Sequence, residues 1–370
     1  MSKPIAIRVD SAPHIGTGHF VRCLTLANAL KACGFEVFFF CRQVFSNQMD
    51  ALKECGHNLE LLPAVKGNAY IPSSNDPFHA EWLRVSATQD AEDCLAASKA
   101  HGKFQWLLVD HYALDYRWEE QVKAVTDNLL VIDDLADRRH CCDILVDQNL
   151  YTILDRYTNL VSCSCRCLLG PRYTILREEF IEARQQARPK VGDVTKILVF
   201  LGGTDPDNIT ATVLQALGII TLPSDVMVDV IVGANNTWRS EIHSLCLTHG
   251  WNLHVEVSDM AKFMIKADMA IGAAGTVTWE RFLLGLPSIV LGIADNQRKL
   301  LQDCAAMGYI FAPKWDKSDP KSLGEKILSF ILDEKGRAAM SQACYNMVDG
   351  QGVSRILREM AAFAAYSPQS

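Results

Sequence analysis

The sequence predicts an α/β protein with two doubly wound parallel sheets. Three observations carry this. Short apolar runs alternate with helical stretches along the chain, the pattern of parallel strands joined by crossover helices. The alternation is interrupted by a charged hinge containing Pro and Gly, and then restarts. The length, 370 residues, exceeds one ordinary domain and suits two.

Taken in order, "IAIRV", "EVFFFC", "QWLLVD", "NLLVIDD" and "DILVD" read as buried strands of a first sheet. "HFVRCLTLANALKAC" and the segment around "AEDCLAASKA" are helices between them. "EEFIEARQQARPKVGDVTK" is a helix end running into the hinge, placed at residues 186–194. "KILVFLGG" opens a second sheet, continued by "MVDVIVG", "NLHVEV", "ADMAIGAAG" and "PSIVLG". Helices after Ser322 finish that domain, and "GVSRILREMAAFAAY" is expected to pack back on the first. The expected division is 1–188, 194–345 and a C-terminal helix in 346–370. No internal repeat or low-complexity tract interrupts the pattern. Ligands of such sheets sit beyond the carboxyl ends of the strands, so the interdomain cleft is the expected ligand site.

Composition narrows the function. A hydrophobic content of 49% with 21% charged residues fits a globular protein with a large core. A net charge of −7 argues against a nucleic-acid surface and gives no support to docking on an anionic membrane. No apolar stretch approaches the roughly 20 residues that cross a bilayer. No basic-then-apolar leader precedes the first strand, so a cytoplasmic location is expected. The 13 cysteines fit that compartment if reduced. Alternation in "CSCRC" would put Cys163, Cys165 and Cys167 on one strand face, but no further Cys or His completes a zinc-ligand spacing. "RRHCCD", with His140, Cys141 and Cys142, is no better. Buried thiols are expected, with no metal and no cofactor.

"HIGTGHFVRC" follows the first strand. It is not a dinucleotide fingerprint: Val21 stands where a small residue is needed, and the second strand ends at Arg42 rather than at an acid. What remains is a permissive loop at Gly16 and Gly18 with His19 in the first turn of a helix. The helix N-terminus disfavours imidazolium, and a neutral histidine can accept a proton. Other strand tips carry polar residues: Asp110, His111 and Tyr112; Asp133 and Asp134; Asn149 and Tyr151. Their convergence on one rim predicts a shared site. In the second half, "FLGGTDPDN" and "AIGAAGTVTWE" each run from strand through small residues into a helix. Exposed N–H groups there suit a diphosphate, and Glu280 is placed to accept both hydroxyls of a ribose. Neither loop ends in G-K-[ST], so ATP hydrolysis is not expected.

G-x-G-H with "VRCLTLANAL", then "VDHY", "IDD", "DILVDQN", "GPRYTILREEF", "GGTD" and the Glu280 helix followed by "NQ" occur in that order. The set resembles the UDP-sugar hydrolases of pseudaminic acid biosynthesis, which act on UDP-2,4-diacetamido-2,4,6-trideoxy-β-L-altropyranose. The resemblance covers roughly residues 5–310, and "GPRYTILREEF" is its most distinctive part. It implies two Rossmann-like domains of the GT-B type, with His19 as the catalytic base. It also implies substrate contacts at Ile15, Gly16, Gly18, Arg22, His111, Tyr112, Asn149 and Tyr173 on the sugar side. On the UDP side it implies Gly202, Gly203, Thr204, Gly275, Thr276, Glu280, Asn296 and Gln297. The expected partners are a UDP-sugar and its product UDP, with no nucleic acid and no membrane, and the expected state is a monomer. A glycosyltransferase, a UDP-sugar epimerase and a non-catalytic UDP-sugar-binding protein are the alternatives.

Overall fold

The structure is a computed structural model that describes residues 4–65, 70–152, 155–223, 225–292 and 298–366. The chain divides into two compact units. The first contains residues 1–149, 153–175 and 351–370, and the second contains 150–152 and 176–350.

Unit 1 opens with β1 (Ile5–Val9), α1 (Gly18–Ala32), β2 (Val37–Cys41), α2 (Ser46–Cys55) and β3 (Asn58–Leu61). It continues with α3 (Ala87–Ser98), β4 (Phe104–Asp110), α4 (Tyr116–Val122), β5 (Thr126–Ile132), β6 (Ile144–Asp147) and β7 (Arg166–Leu169). The seven strands form one sheet in the order β3-β2-β1-β4-β5-β6-β7, and every pairing is parallel. Strand alternation splits the core into two layers. Ile5, Ile7, Val9 and Phe39 face a layer with Phe20, Cys23 and Leu26 of α1. Ala6, Phe38 and Phe40 face the other, with Cys94 of α3 and Trp118 of α4. Each fully buried Leu, Ile or Phe stabilises by about 1.5–3 kcal/mol, so continuous apolar runs become strands covered on both faces.

A charged cluster is buried beside the second layer. Arg8 is fully buried and is forked between Asp10 (2.7 and 2.9 Å) and Asp90 (3.0 and 2.8 Å). Arg42 joins the cluster by donating to Asp90 and Asp93. The residue that ends the second strand in place of a ribose-binding acid is therefore part of the scaffold.

Unit 2 runs α5 (Glu178–Arg184), β8 (Lys196–Phe200), α6 (Ile209–Ile219), β9 (Met227–Val232), α7 (Arg239–His249), β10 (Asn252–Val255) and α8 (Met260–Lys266). Then come β11 (Met269–Ala273), α9 (Thr276–Leu283), β12 (Ser288–Leu291), α10 (Arg298–Ala306), α11 (Pro320–Leu332) and α12 (Glu334–Met347). Its five parallel strands are ordered β10-β9-β8-β11-β12. The last helix, α13 (Gly352–Tyr366), belongs to unit 1. There Ile356 and Met360 join the α1 layer, and Arg166 pairs with Glu359 at 2.6 Å.

Among the described residues, no helix is long and apolar enough to cross a membrane. Two strands, β3 and β7, were not expected. They are sheet edges whose residues, Leu168 aside, are half-buried or exposed, so they lack the continuous apolar run that marks inner strands. The thiols of "CSCRC" do not share one strand face, because β7 begins only at Arg166 and Cys163 is exposed in the turn before it. Cys165 and Cys167 are half-buried against the second core layer.

Candidate functional site

In both sheets the order reverses beside the strand that comes first in the chain, between β1 and β4 in unit 1 and between β8 and β11 in unit 2. At such switch points the loops diverge and leave a crevice beyond the carboxyl ends. The four turns that follow these strands hold most of the residues singled out in the sequence.

In unit 1, the chain leaves β1 through a tight loop. Gly16 takes φ 84°, the left-handed region open to glycine, and its N–H donates to the Ala12 carbonyl at 2.8 Å. Ser11 Oγ donates to the Gly16 carbonyl at 3.0 Å. Helix α1 then starts with no side-chain cap, and His19 is its second residue. His19 Nδ1 lies 2.6 Å from Asp110 Oδ1 at the tip of β4. Arg22, one turn further along, donates from Nε to Asp110 Oδ2 (2.5 Å) and from Nη2 to Oδ1 (2.7 Å). Its Nη1 donates to Asp134 Oδ2 at 2.9 Å, and the Tyr112 hydroxyl donates to Asp134 Oδ1. His19, Arg22, Asp110, Tyr112 and Asp134 thus form one connected cluster.

The geometry assigns the imidazole tautomer. A nitrogen lone pair cannot face an anionic oxygen at 2.6 Å, so Nδ1 carries a hydrogen and, in the neutral ring, the lone pair is on Nε2. Asp110 is fully ionised. Burial alone would raise its carboxyl, but Arg22 and His19 more than offset this and hold it well below the usual carboxylate range. Burial, followed by the Asp134 charge, pushes the Tyr112 phenol well above its ordinary value, so it stays a donor. The Tyr112 ring meets His19 edge-on at 4.5 Å, and Trp82 stands 6.3 Å away.

The other sugar-side residues named in the sequence occupy varied positions in unit 1. His111 is buried, accepts from the Ala113 N–H at Nδ1 (3.1 Å) and turns Nε2 toward Asp10 at 3.3 Å. It braces the charged scaffold through Asp10. Arg22 is buried, with its guanidinium taken up by Asp110 and Asp134. Tyr173 packs against the α1 core layer beneath the Arg172 guanidinium, 5.2 Å from its ring. Asn149 is half-buried just past β6, its N–H donating to Asp147 Oδ1 at 2.9 Å. Ile15 and Gly18 flank the His19 loop, half-buried and exposed respectively. Asp110 and Asp134, expected only as polar strand tips, are the carboxylates that hold His19 and Arg22. His79 and Trp82, beside His19, come from a connection without periodic pattern and carried no signal.

In unit 2 the two glycine turns differ. After β8, Asp205 accepts from the N–H groups of Ile209 (2.9 Å) and Thr210 (2.8 Å), and Asn208 caps α6 toward Ala211. The start of α6 is therefore closed by its own chain, contrary to the open cradle expected behind Gly202, Gly203 and Thr204. Gly203 instead supports the next loop. Its carbonyl accepts from Gly233 N–H at 3.0 Å, and a Cβ on Gly233 would lie 2.5 Å from that oxygen.

After β11, α9 starts at Gly275 (φ 117°) with no side-chain cap, so Gly275 and Thr276 present an open helix N-terminus. Beneath it Arg281 is 1% exposed and donates to the Ala273 carbonyl at 2.9 Å. Burial lowers its pKa to about 10, which leaves a cation under the turn at neutral pH. Glu280 is buried, with Oε1 accepting from Arg177 Nη2 at 3.1 Å. Arg177 is the arginine of "TILREEF", so that motif acts by holding Glu280. Asn296 and Gln297 lie outside the described residues.

No group of three or more His, Cys, Asp or Glu among the described residues is placed to hold a metal ion. Cys142 and Cys165 meet at 3.7 Å as thiols.

No protein-family model matches the chain. Among curated proteins, the UDP-2,4-diacetamido-2,4,6-trideoxy-β-L-altropyranose hydrolase of Campylobacter jejuni is 23% identical over 306 residues, 82% of this chain and 97% of that protein. The spore coat polysaccharide biosynthesis protein SpsG of Bacillus subtilis is 26% identical over 356 residues, 95% of this chain and 96% of its own length. An uncharacterized protein of Methanocaldococcus jannaschii is 24% identical over 309 residues, and the chain spans only 57% of that longer protein.

Among solved structures, Acinetobacter baumannii MurG superposes with a TM-score of 0.63 at 13% identity, covering 98% of this chain and all of that one. The spinosyn rhamnosyltransferase SpnG superposes with a TM-score of 0.64 at 15% identity, covering 96% and 99%. At such identities the likeness is one of fold. The chain has the GT-B fold of these glycosyltransferases and, in sequence, resembles the pseudaminic acid pathway hydrolase of C. jejuni.

Proposed function

We propose that the protein hydrolyses a UDP-sugar, a 2,4-diacetamido-2,4,6-trideoxyhexose on the pattern of its C. jejuni relative, by attack of water on the anomeric carbon. The His19–Asp110 pair at 2.6 Å carries this reading. Asp110 fixes the tautomer that leaves Nε2 free to take a proton from water, and Arg22 locks Asp110 in its ionised form. Water attacks C1, its proton passes to Nε2, and the bonding pair of the C1–O bond leaves with UDP.

The departing group explains why one base is enough. A sugar alkoxide must be protonated as it leaves, which is why ordinary glycosidases use two carboxylates. UDP is a stable anion and needs only charge stabilisation. In unit 2 the open start of α9 at Gly275 and Thr276, with the Arg281 cation below, suits its diphosphate. Glu280, braced by Arg177, suits the ribose hydroxyls.

General-base assistance is worth about 10²–10⁴ in rate. His19→Ala is therefore expected to lower kcat by that factor while UDP affinity, measured by calorimetry, stays within about twofold. A parallel loss of both would assign His19 to the scaffold. Hydrolysis in ¹⁸O-water is expected to label the sugar. Label in the UDP phosphate would mean attack at phosphorus, and product formation only with an added acceptor would make the protein a transferase.

A further inference from the structure

Beside His19 stands a group of rings that the hydrolytic scheme does not use. The connection between β3 and α3 contains a 3-10 turn, Ala80–Leu83. Ala80 and Leu83 are buried, with Leu83 in the second core layer. Gln43 Nε2 donates to the Trp82 carbonyl at 2.8 Å, and Arg84 ends the turn at φ 66°. Just before it, Asp76 accepts from the Tyr70 hydroxyl (2.7 Å) and from Ser73 N–H (2.8 Å). The turn is thus anchored on both sides.

From this base Trp82 reaches His79 (4.5 Å between centroids) and Tyr112 (5.5 Å), and His79 reaches Tyr112 at 5.3 Å. Phe78, 5.0 Å from His79, is 87% exposed. Burial, against the nearby Asp137 charge and with Arg138 close by, holds the His79 imidazole below its ordinary value. The rings meet one another edge-on or tilted and form an aromatic wall without formal charge beside the candidate base.

Resting on the hydrolase reading, we propose that Trp82, His79 and Phe78 form the surface that selects the sugar. It favours pyranoses whose substituents on that side are C–H and methyl groups over sugars bearing hydroxymethyl or free hydroxyl groups there. Aromatic faces receive C–H groups well, whereas a hydroxyl pressed against them loses water without gaining a partner. A 6-deoxy, N-acetylated sugar presents methyl groups where an ordinary hexose presents hydroxyls. One such group in an apolar site is worth roughly 10- to 200-fold in kcat/KM.

The test compares UDP-2,4-diacetamido-2,4,6-trideoxyaltrose with UDP-N-acetylglucosamine in wild type, Trp82→Ala, Trp82→Phe and His79→Ala. Wild type is expected to favour the deoxy sugar. Trp82→Ala should lower kcat/KM for it by about tenfold or more, chiefly through KM, and collapse the ratio between the two sugars, while Trp82→Phe retains most of it. Trp82→Leu, which keeps apolar bulk without a ring, carries the test if the alanine variant does not fold. An unchanged ratio in the Trp82 variants overturns the proposal.

A binding arm separates the two readings. In a His19→Ala background, the deoxy UDP-sugar should bind more tightly than UDP, and Trp82→Leu should erase that increment. If wild type releases no UDP yet the increment exists and depends on Trp82, the wall stands and hydrolysis falls. If no increment exists or Trp82 does not affect it, the wall falls whatever the turnover.

Discussion

A carboxylate 2.6 Å from an imidazole nitrogen settles a choice between two tautomers that differ in where a proton can be taken up. Asp110→Asn should leave the shape intact while allowing the amide to donate to Nδ1, which turns the lone pair away from water. We expect kcat to fall at least about 10²-fold, with UDP affinity retained, in a steady-state assay paired with calorimetry. A second buried histidine sets a stability term. His140 Nδ1 contacts Glu119 at 2.6 Å, and Nε2 faces Asp133 at 3.7 Å. Burial opposes its charge, but the two acids raise its pKa from 6.5 to about 9. The folded state therefore favours the proton. This contribution is complete below pH 6.5 and is lost as pH rises through about 9, up to about 3 kcal/mol in all. Urea unfolding at pH 6.5, 8 and 9.5 should show the decline, and His140→Gln should flatten it. His19 was legible in the sequence because two glycines led into it. Asp110 was legible only as one polar strand tip among several, because an acid after a strand reads equally well as a loop cap; its pairing with His19 was not.

Elements were legible in proportion to their burial. Inner strands such as β1 and β4 declare themselves as unbroken apolar runs, whereas β3 and β7 mix charged and apolar residues at sheet edges. The two glycine turns of unit 2 look alike in sequence, and their difference lies in where Asp205 points. Asp205→Ala should cost about 1–2 kcal/mol of stability by uncapping α6, with little effect on UDP affinity. Thermal melting with and without UDP would check both parts. Helix α13 supplies another test. A Cβ on Gly352 would lie 2.1 Å from the Thr174 carbonyl oxygen and 2.6 Å from its nitrogen. Because backbone cannot move aside as a side chain does, Gly352→Ala should destabilise by about 1–3 kcal/mol in denaturant titration.

At the scale of the whole molecule, the hinge composition at 186–194 marks exposed chain, yet the division by contacts falls earlier, at residues 175 and 176. Helix α5 goes with unit 2 because Phe180 is buried in that unit's core, a contact that composition cannot report. Each unit has its own core, so a ligand held by one protects that one first. UDP at 100 times its Kd should add about 2.7 kcal/mol to the unit that binds it. Amide-exchange mass spectrometry is expected to show the protection within residues 176–350, around the start of α9. Protection confined to residues 5–149 would reverse the assignment of the nucleotide.

The placement of α13 in unit 1 has a consequence for biosynthesis. The first 175 residues leave the ribosome long before residues 352–366, which add Ile356 and Met360 to the core layer that holds Phe20 and Leu26. During translation of the intervening segment, that apolar face has no native cover, and the nascent chain offers it to chaperones or to aggregation. Premature stop codons near the 3′ end of the message should therefore yield insoluble protein, even though unit 2 is already complete.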